Sequence, residues 1–213
     1  SYRAVRAAED WMSSQLWSDS LKEYIEARGL DIETCQKLGI YVVPNYVRFY
    51  SYLKEMFSNV FLREVGFAKE GMFSPSSIVF VIRDHNGTPV GFVSRDIEHE
   101  EKKAQWEEGG RRGAPPRKYD ASPERNRIFF KRNILFGINA CIREGAKEIF
   151  VFEGQFDYAL AKKSGLQNSV ALSGSVLTTE HIGILKKHGI NSLTLVFDGD
   201  SAGEKALEDL LLG

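Results

Sequence analysis

Apolar positions recur with two different spacings, and the change of spacing divides the chain. Over residues 1 to about 70 they fall at helical intervals. Leu21, Tyr24 and Ile25 form one stripe, opened by a capping box of Ser20 with Glu23 and stopped at Gly29. Asp31 caps a second short helix that closes at Gly39, and Leu53, Met56, Phe57, Val60 and Phe61 continue the periodicity. This spacing assigns them to core packing. The runs Ile78–Ile82 and Val90–Val93 flank Asp84-His85-Asn86-Gly87, which predicts a hairpin over 78–95. Residues 98–117 are charged and rich in Gly and Pro, and predict a mobile loop. Residues 129–144 return to helical spacing, with Ile134, Leu135, Ile138 and Ile142 on one side.

From Ala146 the pattern alternates. A strand at 149–152 precedes a helix over 156–164 that stops at Gly165, and Ser169–Leu172 is a short strand. Thr178 or Thr179 caps a helix running to Gly189, a strand covers 192–197, and a last helix starts near Gly203. Alternating strands and helices imply a parallel sheet with right-handed crossovers. The predicted fold is an α+β N-terminal subdomain over 1–145, followed by an α/β domain over 146–213. The second domain has a mostly parallel central sheet flanked by helices.

Two acidic clusters follow apolar runs in that second part. Glu153-Gly154-Gln155-Phe156-Asp157 comes after Ile149–Phe152, and Asp198-Gly199-Asp200-Ser201-Ala202-Gly203 after Leu193–Phe197. Open α/β sheets place ligands at the carboxyl ends of their strands. Carboxylates gathered at one edge repel each other, and a divalent cation relieves that repulsion.

Charge and composition sharpen this picture. The net charge of −1 hides an asymmetry: residues 111–132 carry +6 and the remainder −7. A basic segment beside an acidic site suits a phosphate-bearing partner, and a solvated loop is the alternative. At 43% hydrophobic and 27% charged, the chain can build a globular core. No apolar run reaches membrane-spanning length, so no membrane role is expected. Cys35 and Cys141 lie far apart without metal-ligand spacing and read as reduced thiols of a cytosolic protein. His181 and His188 read as surface residues of a helix. The start at Ser1 and the stop at Gly213 on a helical run suggest part of a longer polypeptide.

Glu153, Asp157 and the Asp198-Gly199-Asp200 run, with the intervening Ser173-Gly174-Ser175 turn, resemble the TOPRIM domain of primases and topoisomerases over 146–213. Upstream, Tyr24-Ile25 with Arg28-Gly29-Leu30, and Leu38-Gly39-Ile40, resemble the start of the RNA polymerase domain of bacterial or phage-type replicative primases. So do Asp84–Gly87 with Gly91–Arg95, Lys118–Glu124, Phe129-Phe130-Lys131 and Leu135-Phe136-Gly137. The resemblance spans roughly 20–213, and other TOPRIM enzymes lack the upstream block. Departures occur at Ser74-Pro75-Ser76-Ser77, where the family is commonly rich in arginine, at Val81 for a proline, and at Ala121 for an asparagine. The family's second Asp-x-Asp pair and its zinc-binding module lie outside this sequence.

The resemblance implies template-directed synthesis of short RNA primers on single-stranded DNA by metal-dependent nucleotidyl transfer. It implies ribonucleoside triphosphates as substrates, an RNA–DNA hybrid as product, and a replicative helicase engaged through regions outside this chain. Mg²⁺, or Mn²⁺ with the same ligands, suits an all-carboxylate site. The implied ligands are Asp198 and Asp200, with Glu153 a ligand or the general base, and Asp157 a ligand or support. For Asp157 a helix N-terminal carboxylate is the alternative. Gly154 and Gly199 let backbone approach phosphates, or serve turn geometry alone. Lys118 and Lys131 are implied phosphate contacts, Arg95 a triphosphate partner, Tyr119 a stacking platform, and Arg117 with Arg111 and Arg112 template-tracking cations. For each of these a solvated surface role is the alternative. A TOPRIM nuclease would use the same acids on water, but has no need of the Lys118–Glu124 and Lys131 block. A non-catalytic DNA-binding module would lose affinity by clustering four carboxylates.

Overall fold

The computed structural model describes residues 1–68, 72–124, 128–172 and 176–197, with Lys131 described by its backbone. Two compact units form: Ser1–Val81 with Val90–Phe129, and Ile82–Pro89 with the chain from Phe130 onward.

The first unit sets helices α1 (Tyr2–Ser13), α2 (Asp19–Glu26), α3 (Ile32–Lys37), α4 (Tyr46–Lys54) and α5 (Asn59–Glu64) with a four-stranded sheet. Its strands β1 (Ile40–Val42), β2 (Ser77–Arg83), β3 (Pro89–Asp96) and β4 (Tyr119–Ala121) lie in chain order, and both β1–β2 and β3–β4 run antiparallel. Phe49, fully buried, contacts the rings of Trp11, Phe67 and Phe73 at centroid distances of 5.0–5.9 Å, an aromatic hub for this core.

The hairpin turn forms as predicted, with Asp84 Oδ1 accepting from the Asn86 and Thr88 amides at 2.9 Å. Asp31 caps α3, accepting from the Thr34 amide at 2.7 Å. Other expectations shift. The cap of α2 is Ser18, two residues before Ser20, because Ser18 is extended and its hydroxyl accepts from the Leu21 amide. Helical periodicity does not run through 53–61: Ser58 opens a new helix, α5, and leaves Met56 and Val60 exposed. Residues 98–117 are not all loop. They contain α6 (His99–Glu108), a ten-residue helix with no buried residue. It lacks an apolar stripe because its anchor is polar. Lys102 donates to Asp96 Oδ2 at 2.7 Å and to Ser76 Oγ at 2.9 Å, and pairs with Glu98 at 3.1 Å. Burial pulls the Lys102 pKa down, but hydrogen bonds and charge from Asp96 and Glu98 outweigh it and hold it raised. Strands β1 and β4, three residues each, are too short to show a period.

The second unit contains β5 (Leu135–Phe136), α7 (Ile138–Arg143), β6 (Glu148–Phe152), α8 (Gln155–Lys163), β7 (Ser169–Leu172), α9 (Thr179–Lys187) and β8 (Ser192–Val196). Strand order is β5-β7-β6-β8, with β6 parallel to β7 and β8, and β5 antiparallel to β7. The continuous helix predicted over 129–144 is broken into a 3-10 turn at Lys131–Asn133, β5 and α7. Gly137, at φ +86°, makes the corner. Because β5 pairs with β7, residues upstream of 146 belong to this unit, which holds the chain from Phe130 together with Ile82–Pro89. Leu135, Ile138, Cys141, Ile149, Val151, Val170, Leu172 and Leu185 fill its core. His181 is not a surface residue: it is 2% exposed, and its Nδ1 accepts from the Thr178 amide while Thr178 Oγ1 accepts from the His181 amide. The helix predicted from Gly203 lies outside the described residues.

Candidate functional site

From β6 the chain crosses through α8 to β7 on one side, and β8 returns on the other side of β6. Strand order therefore reverses between β6 and β8, the place where an open α/β sheet leaves a crevice for ligand. The parallel register pairs Phe152 with Val196, so the two strands end level. Glu153, the residue directly after β6, is half-buried at that end. Asp198 comes two residues after the last residue of β8; Asp198, Gly199, Asp200 and the Ser173–Ser175 turn lie outside the described residues.

Helix α8 starts directly behind Glu153. Gly154 is its N-cap, with no side-chain cap, and Asp157 is exposed in its first turn. A Cβ built on Gly154 would sit 2.7 Å from Asp157 Oδ2, so the carboxylate folds back over Gly154 at the positive end of the helix. Gln155, Tyr158 and Ala159 are buried and fix the helix onto the sheet. Burial drives the Tyr158 phenol far above its ordinary pKa, which leaves it a neutral packing group. Among the described residues no three His, Cys, Asp or Glu side chains gather as a metal site. Glu153 and Asp157 supply two of the four expected carboxylates, and oxygen donors of this kind suit a hard divalent cation. An apolar groove of about 370 Å³ between α9 and β8, lined by Ile182, Leu185, Ile190 and Leu193, includes none of the expected site residues.

The expected cations fall in different places. Arg95 on β3 is directly opposite Tyr119 on β4, and its guanidinium carbon lies 4.9 Å from the Tyr119 ring centroid. Arg117 donates to Asp120 at 3.3 Å, and the exposed Lys118 lies 3.9 Å from Glu100. These four residues gather along β3 and β4 in the first unit. Lys131 opens the 3-10 turn of the second. Arg111, at φ +57°, and Arg112 follow α6, where Trp106 Nε1 donates to the Arg112 carbonyl at 3.0 Å. Trp106 was not anticipated as a loop clasp. Its signal was being the one aromatic residue in an otherwise charged stretch, 98–117.

Comparison with known proteins agrees with the topology. Residues 147–211 match the Toprim domain, and residues 11–142 match the N-terminal domain of the DNA primase catalytic core. The fold and the acidic strand ends thus define a Toprim-type α/β domain preceded by a primase-core unit. DNA primase of Chlamydia trachomatis is 31% identical over 189 residues, 86% of this chain and 29% of that protein. DNA primase of Lactococcus lactis is 30% identical over 208 residues, 92% of this chain and 30% of that protein. The RNA polymerase domain of Mycobacterium tuberculosis primase superposes with a TM-score of 0.82 at 25% identity, covering 100% of this chain and 70% of that one. A DNA primase domain from Pseudomonas aeruginosa gives 0.75 at 26%, covering 99% and 65%. The chain belongs to the bacterial DNA primase family, whose members are metal-dependent. It spans just under a third of the length of the curated primases named above.

Proposed function

We propose that this chain is the nucleotidyl-transferring core of a primase, which synthesises short RNA primers on single-stranded DNA from ribonucleoside triphosphates. The observation that carries this reading is the level ending of β6 and β8, with Glu153 after one strand and the Asp198-Gly199-Asp200 run after the other. Asp198 and Asp200 would hold Mg²⁺ or Mn²⁺, with Glu153 and Asp157 completing the oxygen donors. When bound, such an ion lowers the pKa of a 3′-hydroxyl and screens the phosphates it attacks. If it does not ligate the ion, Glu153 would instead be the general base that takes the hydroxyl proton. Gly154 lets backbone come close to a phosphate, as does Gly199. Arg95, Arg117, Lys118 and Lys131 meet phosphates of nucleotide or hybrid, and Arg111 and Arg112 follow the template backbone. Support for the DNA partner comes from the Mycobacterium tuberculosis RNA polymerase domain, solved in complex with a double-stranded DNA oligomer carrying a 6-nucleotide overhang, at 25% identity and TM-score 0.78. A replicative helicase, engaged through other regions of the full-length protein, fits the same reading.

The test is primer synthesis by the full-length protein on single-stranded DNA with ribonucleotides and Mg²⁺ or Mn²⁺. Short RNA made by the unmutated protein and lost in Asp198→Ala, Asp200→Ala and Glu153→Gln is the expected result. Normal synthesis by either aspartate variant would remove the metal assignment. Metal-dependent loss of the DNA, without RNA, would make the site a nuclease.

A further inference from the structure

Arg95 is the penultimate residue of β3, an interior strand of its sheet. Its Nε is buried and, among the described residues, makes no hydrogen bond. Both carboxylates that follow the pair on their strands are already committed. Asp96, next to Arg95, accepts from Lys102 at 2.7 Å and from Ser76 at 2.9 Å. Asp120, next to Tyr119, accepts from Arg117 at 3.3 Å. Among the described residues Arg95 forms no salt bridge. What it does have is a ring: the strand register sets Tyr119 directly opposite, and the guanidinium carbon lies 4.9 Å from the ring centroid. A buried guanidinium donor without an acceptor is costly, and an incoming anion removes the cost. Arginine's planar fork matches the oxygens of a phosphate chain, provided the plane is held in one orientation.

We infer that Tyr119 is a positioning residue: its ring holds the Arg95 guanidinium in one orientation, and Arg95 is the group that meets a triphosphate. The second half rests on the nucleotide reading of the site; the first half does not. This differs from a Tyr119 that stacks on a base, because one face of the ring is taken by the guanidinium. The interaction needs the aromatic face and not the hydroxyl.

Two measurements on this chain separate the halves. The first is ¹⁵N relaxation of the Arg95 Nε–H group, assigned by its loss in Arg95→Ala. Tyr119→Ala should make that group mobile, and Tyr119→Phe should leave it as ordered as in the unmutated chain. The second is calorimetric binding of inorganic triphosphate. Tyr119→Ala should weaken it by about tenfold, Tyr119→Phe should not, and Arg95→Ala should weaken it as much. The double alanine variant should bind no worse than Arg95→Ala, since the ring acts through the arginine. An Arg95 Nε–H that stays ordered in Tyr119→Ala overturns the inference. So does a Tyr119→Ala chain that loses ATP binding but keeps inorganic triphosphate, which would make the ring a base platform. An Arg95 ordered only in the presence of the ring, in a chain that binds no triphosphate, upholds the positioning role and overturns the nucleotide reading.

Discussion

Two glycines show how a single hydrogen atom can serve different ends. Gly137 has φ +86°, and a Cβ there would meet Tyr158 ring atoms at 2.4–2.7 Å. That ring is buried and packed edge-on against Phe136 at 4.9 Å, so it has nowhere to go. Gly137→Ala should destabilise the chain by more than about 2 kcal/mol, through backbone strain and overpacking together. A urea midpoint equal to that of the unmutated chain would contradict this. Gly154 is the contrasting case. It has a negative φ, −109°, and the atom in the way is the end of a flexible carboxylate, Asp157 Oδ2 at 2.7 Å. Gly154→Ala should therefore shift stability by less than about 1 kcal/mol, because the carboxylate can swing away. On the function proposed above, primer synthesis by the full-length protein should nevertheless fall, since Asp157 would be displaced from the carboxylate cluster. Equal loss of stability in both variants would remove the distinction. The sequence read Gly154 as a phosphate approach or a turn and left Gly137 inside a predicted helix; neither role was legible, because the deciding neighbours are Tyr158 and Asp157 side chains in folded positions.

Whole elements were legible where an amphipathic or buried run was long enough to repeat. Strand β7 was predicted with its observed ends, and β6, β8, α8 and α9 within a residue or two. What failed were elements held by something other than a repeating apolar pattern. Strand β5, two residues long, was hidden inside a helical period, and α6 rests on the Lys102–Asp96–Ser76 contacts across a sequence gap. The N-terminus of α9 is a related case. His181 sits where a capping box ordinarily has Glu or Gln, and its Nδ1 accepts from the Thr178 amide at 3.1 Å. The Thr178 hydroxyl also donates to the Arg132 carbonyl at 2.7 Å, tying the helix start to the 3-10 turn at Lys131–Asn133. Thr178→Ala should cost about 1–2 kcal/mol, measured by chemical denaturation of the chain. His181→Gln keeps an acceptor of the usual capping-box type and should cost less than His181→Ala. The reverse ranking would mean that the imidazole matters for its packing and not for the cap.

At the scale of the molecule, charge is the property most plainly read from sequence and least changed by folding. The +6 of residues 111–132 is drawn from both units: Arg111, Arg112, Arg117 and Lys118 belong to the first, Lys131 and Arg132 to the second, while Arg125 and Arg127 lie outside the described residues. Folding decides which of these cations are already spent. Arg117 is paired with Asp120 at 3.3 Å, and Arg132 lies 3.8 Å from Glu180. Arg111 and Arg112 are both exposed, and they are presented by a loop whose shape is fixed by the Trp106 hydrogen bond to the Arg112 carbonyl. If these two side chains contact template phosphates, each releases counterions on binding. The slope of log K against log salt for single-stranded DNA should then become shallower by about 0.7 for each arginine removed. Fluorescence anisotropy with a labelled oligonucleotide over a salt series should show a change of about 1.4 in the Arg111→Ala, Arg112→Ala double variant, with the denaturation midpoint unmoved. Replacing Trp106 by Leu tests the clasp separately. Both arginines remain, so the slope should hold, while affinity falls because the loop must be ordered on binding. An unchanged slope in the double arginine variant would make the segment a solvated surface, and DNA affinity would then have to come from Arg95, Lys118 and Lys131.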